Sequence, residues 1–173
     1  PSTALTPVTA IGNITGTVKV DQTLTAGAPT PSGATVAYQW QRAASAGGPY
    51  TDIAGATNAA YTVTAGDYTG YLRVVATGTG EFMGVATSNA VGPVAPAVIN
   101  LSIIEGIPVP VKNAAPVFTI TATSQYTGTV TWSPNMPSGS YRPNTNYTAT
   151  ITLTPKFGYT VTGVSANFFV VPG

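Results

Sequence analysis

Val36-Ala37-Tyr38-Gln39-Trp40-Gln41-Arg42 decides the fold class. Val36, Tyr38 and Trp40 fall on one side of an extended chain, and the glutamines take the other. A period of two is the pattern of a half-buried antiparallel strand, because successive side chains point to opposite faces. The same alternation recurs in Phe118-Thr119-Ile120-Thr121-Ala122-Thr123, which predicts Phe118, Ile120 and Ala122 inward and threonines outward. Tyr147, Ala149, Ile151 and Leu153 repeat it against Thr148, Thr150, Thr152 and Thr154. Threonine on the outer face supplies β propensity without charge. No window sustains a 3.6-residue period, and glycine or proline interrupts most candidates. An all-β chain is expected.

Outward from these runs, Gly16–Ala26 reads as a hairpin-like pair of runs, Val18/Val20 and Leu24/Ala26, around Asp21-Gln22, and punctuation marks further strands at Ala60–Thr64, Gly70–Thr77, Gly84–Ala90, Thr127–Ser133 and Tyr159–Val171. Short strands every ~8–12 residues are the spacing of antiparallel β-sandwiches. Val91-Gly92-Pro93-Val94-Ala95-Pro96 has the proline content of a stiff connection,. Two sandwich domains in series are therefore expected, residues 1–93 and 94–173, with Trp40 and Trp132 each in its own core. In the run after Asp67, the set Leu72, Val74 and Ala76 is expected to face inward, because that choice keeps Arg73 out of the core.

Composition excludes more than it names. Charged residues make up 6% of the chain, against about 25% in a typical soluble domain. Six basic side chains against five acidic ones leave a net charge of +1, too weak a field to attract nucleic acid or an anionic membrane. With no cysteine and no histidine, disulfides, thiolate metal sites and histidine-based catalysis are ruled out. The apolar stretch from Val94 to Val111 is broken by Pro96, Asn100, Glu105, Pro108 and Pro110, short of the ~20 apolar residues of a membrane span. The chain begins at Pro1 without an initiator methionine, as expected of a processed protein or a piece of a longer one.

A series of phrases in the first half resembles the bacterial immunoglobulin-like repeats strung along surface and S-layer-type proteins of Gram-positive bacteria. These are Gly16 to Ala26, Tyr38-Gln39-Trp40-Gln41-Arg42, Tyr50-Thr51-Asp52 to Thr57, and Tyr61-Thr62-Val63-Thr64 through Asp67 to Val74. The second half is similar to another module of such proteins, through Tyr126 to Pro134, Tyr147 to Leu153 and Gly158-Tyr159 to Phe169. The resemblance implies two immunoglobulin-like antiparallel sandwiches. Trp40 resembles their strand-C tryptophan, and Leu24 stands where such domains often carry a cysteine. Asp67 and Tyr71 resemble their tyrosine corner. The usual Asp-x-Gly-x-Tyr here reads Asp67-Tyr68-Thr69-Gly70-Tyr71, with the glycine one place late. Leu24, Trp40, Tyr71 and Trp132 are thus the expected structural core.

Candidate chemistry is thin. A glycosidase needs two carboxylates roughly 5–10 Å apart, whereas Asp21, Asp52, Asp67, Glu81 and Glu105 are isolated in sequence, where turn and cap roles fit them better. Serine or threonine nucleophiles lack a histidine base, and Lys19, Lys112 and Lys156 lie in no recognisable motif. No catalytic residue, metal or cofactor is expected; without a clustered-aspartate run, Asp21 and Asp67 would be the least unsuitable calcium ligands. Lys19 and Lys112 with Asp67 or Glu105 supply the parts of a Lys–Asn isopeptide bond, although solvated lysines explain them as well. Asn13-Ile14-Thr15, Asn100-Leu101-Ser102 and Asn146-Tyr147-Thr148 match a glycosylation pattern that a threonine-rich chain meets by chance. Threonine rows suit ice only when flat, and short twisted strands are not. Tyr50, Tyr68, Tyr126 and Tyr141 sit in turn-like contexts and are candidates for stacking on sugars.

The expectation is a non-catalytic structural module of an extracellular, bacterial cell-surface fibre, layer or stalk. The alternative is an adhesin-type binding module for glycan or protein. Its candidate loops, Ala43 to Pro49 and Asn135 to Arg142, are mostly small and polar, which favours structure. Expected partners are copies of itself or neighbouring immunoglobulin-like modules, with cell-wall or glycan contact as a further possibility. Sparse charge opposes packing of copies little. The Pro-bounded apolar runs Val8/Ala10 and Val98/Ile99 with Ile103/Ile104 are the expected self-association strands.

Overall fold

The computed structural model describes residues 4–135 and 139–172. Pro1 to Thr3 of the N-terminal run and Met136 to Ser138 of the Asn135–Arg142 loop lie outside them. The described residues form strands in several small, mostly antiparallel sheets, with one 3-10 turn at Ala65–Asp67. None of their helices is long and apolar enough to cross a membrane. The chain divides into two compact units, Pro1–Ala97 and Val98–Gly173.

Unit 1 contains β1 (Thr6–Pro7), β2 (Ala10–Ile11), β3 (Thr23–Thr25), β4 (Pro29–Thr30), β5 (Val36–Ala43), β6 (Thr51–Asp52), β7 (Ala60–Thr62), β8 (Tyr71–Gly78), β9 (Phe82–Met83) and β10 (Val85–Thr87). A four-stranded sheet has the order β10-β8-β5-β6, and β3 pairs with β7 and β2 with β4. Trp40 of β5 lies opposite Val74 of β8. Leu72, Val74 and Ala76 are fully buried, as the alternation requires, together with Val20, Leu24, Trp40 and Val63. Arg73 stays on the other face of β8. Its Nε donates to Gln41 Oε1 at 2.7 Å, and its guanidinium covers the Tyr50 ring at 3.9 Å.

Two pairings in unit 1 run parallel. β1 pairs with β9. Lys19 bridges Ala95, where the Val20 amide donates to the Ala95 carbonyl and the Ala95 amide to the Val18 carbonyl, both at 3.0 Å. The next contact upstream of Ala95 is also within unit 1: the Val94 amide donates to the Gly70 carbonyl at 2.9 Å, and Val94 is buried.

Unit 2 is built on a long hairpin of β12 (Tyr126–Ser133) and β13 (Thr148–Pro155), preceded by β11 (Ala97–Val98) at the unit boundary and followed by β14 (Tyr159–Thr160). Gly128, Val130 and Trp132 oppose Leu153, Ile151 and Ala149 on the inner face. On the outer face Thr127, Thr129, Thr131 and Ser133 oppose Thr154, Thr152, Thr150 and Thr148, all exposed. Hydroxyls thus stand in two neighbouring columns with no charge among them. The core gathers Ile99, Ile104, Ile120, Tyr126 and Val130, with Trp132 half-buried against it. Trp132 Nε1 donates to the Val117 carbonyl at 2.7 Å.

The Phe118–Thr123 run departs from its alternation. Ile120 is buried, but Phe118 is 59% exposed and Ala122 is exposed too. The segment touches the outer edge of β12 through one bridge, Thr119 to Thr129, with hydrogen bonds from Ile120 to Gly128 and from Val130 to Phe118. Past that short contact, nothing forces the two faces into different environments.

The late glycine after Asp67 has a steric explanation. A Cβ on Gly70 would sit 3.0 Å from the Asp67 carbonyl oxygen and 3.2 Å from that of Ala43, so a side chain here would crowd two backbone oxygens. The left-handed residue of the turn is instead Thr69, at φ 66°, a conformation that a β-branched side chain resists. Thr69→Gly is expected to stabilise unit 1 by about 1 kcal/mol, even after the extra unfolded-state entropy of glycine. Thermal unfolding checks this, with a midpoint expected to rise by about 4–8 °C for a domain of this size. An unchanged or lowered midpoint would refute the strain argument.

Candidate functional site

A polar cluster built around Asp67 is the most chemically distinctive feature of unit 1. β5 carries Trp40 into the core, and burial of its indole demands a partner for the N–H. Nε1 donates to the Asn58 carbonyl at 2.9 Å, and the ring stacks on Tyr61 of β7 with centroids 5.5 Å apart. Tyr61 in turn aims its hydroxyl at Asp67 Oδ2, at 2.6 Å. The same oxygen accepts from the Thr64 amide and the Thr64 hydroxyl, each at 2.8 Å. Asp67 thereby closes the 3-10 turn back onto Thr64, the residue that precedes it. The residue is 1% exposed.

Arg42, two residues beyond Trp40 on β5, completes the cluster. Its Nη1 lies 3.6 Å from Asp67 Oδ1 and donates to the Gly66 carbonyl at 3.3 Å. Oδ1 itself makes no hydrogen bond among the described residues. Arg42 is half exposed, so solvent screens this pair and most of the carboxylate's stabilisation comes from the three donors on Oδ2. Burial first, then the Asp67 carboxylate, pushes the Tyr61 phenol from 10.0 up to about 12. A proton held this tightly, on a hydroxyl facing the buried Asp67 carboxylate, acts as a clamp between β7 and the turn,.

The phenol on Asp67 is that of Tyr61, and Tyr71 contributes none of the three hydrogen bonds on Oδ2. Tyr71 is half-buried, whereas Leu24 and Trp40 are fully buried. Among the sugar-stacking candidates, Tyr126 and Tyr141 are buried and Tyr50 is covered by Arg73. The Tyr126 hydroxyl donates to the Ile103 carbonyl at 2.8 Å. Tyr141 packs edge-on against Trp132 and Tyr147. Burial raises both phenols, helped in Tyr126 by Glu105 and in Tyr141 by Tyr147. Among the described residues no three acidic groups converge as a metal site would require.

The strands expected to self-associate have pairings inside their own units. Val8 is buried and its amide donates to the Met83 carbonyl at 2.7 Å, while Ala10, exposed, pairs with Thr30. Val98 belongs to β11, which pairs with β14. The buried Ile99 and Ile104 donate to the carbonyls of Thr160 and Val170, at 3.0 and 2.9 Å. Ile103, 47% exposed, bridges Val170 in parallel.

Removing the clamp should cost stability. Asp67→Asn keeps the shape but gives up the charged acceptor, and a loss of about 1.5–3 kcal/mol in chemical unfolding of unit 1 is expected; a loss below 0.5 would contradict the clamp. The sign for Tyr61 follows from its direction of shift. Folded Tyr61 binds its proton more tightly than the unfolded chain does, so this stabilisation is whole below pH 10 and fades as pH climbs towards 12,. The stability gap between the native chain and Tyr61→Phe should accordingly narrow over that range, and a constant gap would show that the phenol is not so placed.

The chain is similar over residues 12–92 to a family described as a domain of unknown function, DUF8696. That stretch lies within unit 1. No curated protein and no solved structure matches the chain.

Proposed function

We propose that this chain is a non-catalytic structural module of an extracellular, bacterial cell-surface assembly, made of two immunoglobulin-like sandwiches in series and self-associating through neutral β surfaces. The observation that carries the reading is where the chemistry goes. The buried carboxylate of Asp67 is consumed by Tyr61 and Thr64 of its own unit, and the outer face of the β12–β13 hairpin carries only threonine and serine. Polar groups serve the architecture inside and hydration outside. Stacking of Trp40 on Tyr61, from strands of separate sheets, supports a sandwich arrangement in unit 1. The threonine face supports an extracellular module that stays wetted without charge.

Burial of Tyr126 and Tyr141 and the cover over Tyr50 weigh against the adhesin alternative. The test is localisation on intact cells. Antibodies raised against the chain should label unpermeabilised cells of the producing organism in a continuous coat or along filaments seen by electron microscopy. Label reaching the protein only after lysis would overturn the reading.

A further inference from the structure

The outer edge of β13 is the feature of the fold that nothing described above uses. β5 and β8 are paired along both edges, and the strands that end their sheet, β6 and β10, are two and three residues long. β12 is paired with β13 on one side and with the Phe118–Ile120 segment on the other. β13 runs for eight residues, and its second edge has no backbone partner among the described residues. Proteins usually guard such an edge with lysine, an inward charge, an internal proline, a bulge or brevity. Here Thr148 to Thr154 carry no charge, and Pro155 stands only at the end. The inner row, Ala149, Ile151 and Leu153, is only half-buried, whereas Gly128 and Val130 opposite it on β12 are buried. Apolar surface and backbone donors are open along the same line.

We infer that β13 is the association edge, and that its occupant is the β13 strand of a second copy of this chain, laid antiparallel about a two-fold axis. This rests on the self-association in the proposed function and names the surface for it. An identical strand fits for three reasons. A neutral edge meets its own copy without like-charge repulsion. Antiparallel pairing satisfies the open amides and carbonyls of both strands reciprocally, as an isologous contact must. With the two Ile151 residues opposed, in–out parity holds along the whole strand: threonines meet threonines on the outer face, and the half-covered apolar rows meet on the inner one. The result is a continuous sheet of two hairpins with four columns of hydroxyls outside. One strand pair is a small interface, so association is weak and reversible for the free chain and strong only where copies are held close together.

The test is sedimentation of the full chain from micromolar to millimolar concentration, native and with the exposed pair Thr150→Lys/Thr152→Lys. In the two-fold pairing each new lysine faces a lysine of the other copy, so association is expected to weaken about tenfold or more. The control Thr127→Lys/Thr129→Lys adds the same charge one strand further in and should leave association unchanged. Unaltered Trp132 fluorescence confirms that both variants keep the hairpin. Because the chain lacks cysteine, Thr150→Cys and Thr152→Cys preparations report contact directly: when mixed and oxidised they should cross-link faster than Thr87→Cys, placed on β10. Association that survives the β13 lysines and gives no β13 cross-link overturns this edge while leaving self-association standing. A native chain that is monomeric throughout overturns both.

Discussion

Burying the Trp40 indole is the constraint from which the rest of unit 1 follows. A buried N–H must find an acceptor, and the Asn58 carbonyl supplies it only if the chain after β6 returns across the face of β5,. That return brings Tyr61 under the indole, and stacking leaves its phenol pointing at the next turn. Asp67 then receives the phenol, the Thr64 amide and the Thr64 hydroxyl on one oxygen. Arg42 starts from the same strand as Trp40 and ends beside the same carboxylate. The circuit closes on itself and ties β5, β7 and the turn to one carboxylate.

Unit 2 meets the same obligation with less material. Trp132 gives its N–H to Val117 and its ring to Tyr141, yet it stays half-buried, because only part of the hairpin's inner face is covered. The outer face balances this by being uniformly hydroxylic. The hairpin therefore combines a hydroxylic back, an incompletely covered front and an edge without charge.

The sequence showed parity well and partnership poorly. Alternation is written locally, most cleanly in β13, where Ala149, Ile151 and Leu153 alternate with threonines, and in β8 the choice of Leu72, Val74 and Ala76 needed only the cost of burying Arg73. The partner of Asp67 is a different matter. Tyr61 and Tyr71 are both tyrosines near the turn, and only the register of β7 against β3, with Leu24 facing Tyr61, decides which hydroxyl arrives. Phe118 shows the opposite failure. Its alternation is as clean as that of β13, but alternation says that two faces differ and not that anything lies over the apolar one. The open edge of β13 was legible as an uncharged run, but whether a neighbouring strand covered it depended on the remote segment Phe118–Ile120 choosing the far side of β12.

The parallel pairing of Val18–Val20 with Ala95 has a mechanical meaning. The two segments point the same way, so a pull applied to Val18 from its N-terminal side and to Ala95 from its C-terminal side slides one past the other along the strand axis. Both hydrogen bonds across that pairing are then strained together and must rupture at once. A hairpin such as β12–β13, pulled apart from its open end, surrenders its bonds singly. At this pairing unit 1 therefore loads its hydrogen bonds in shear, although those bonds are no stronger than any others in the fold.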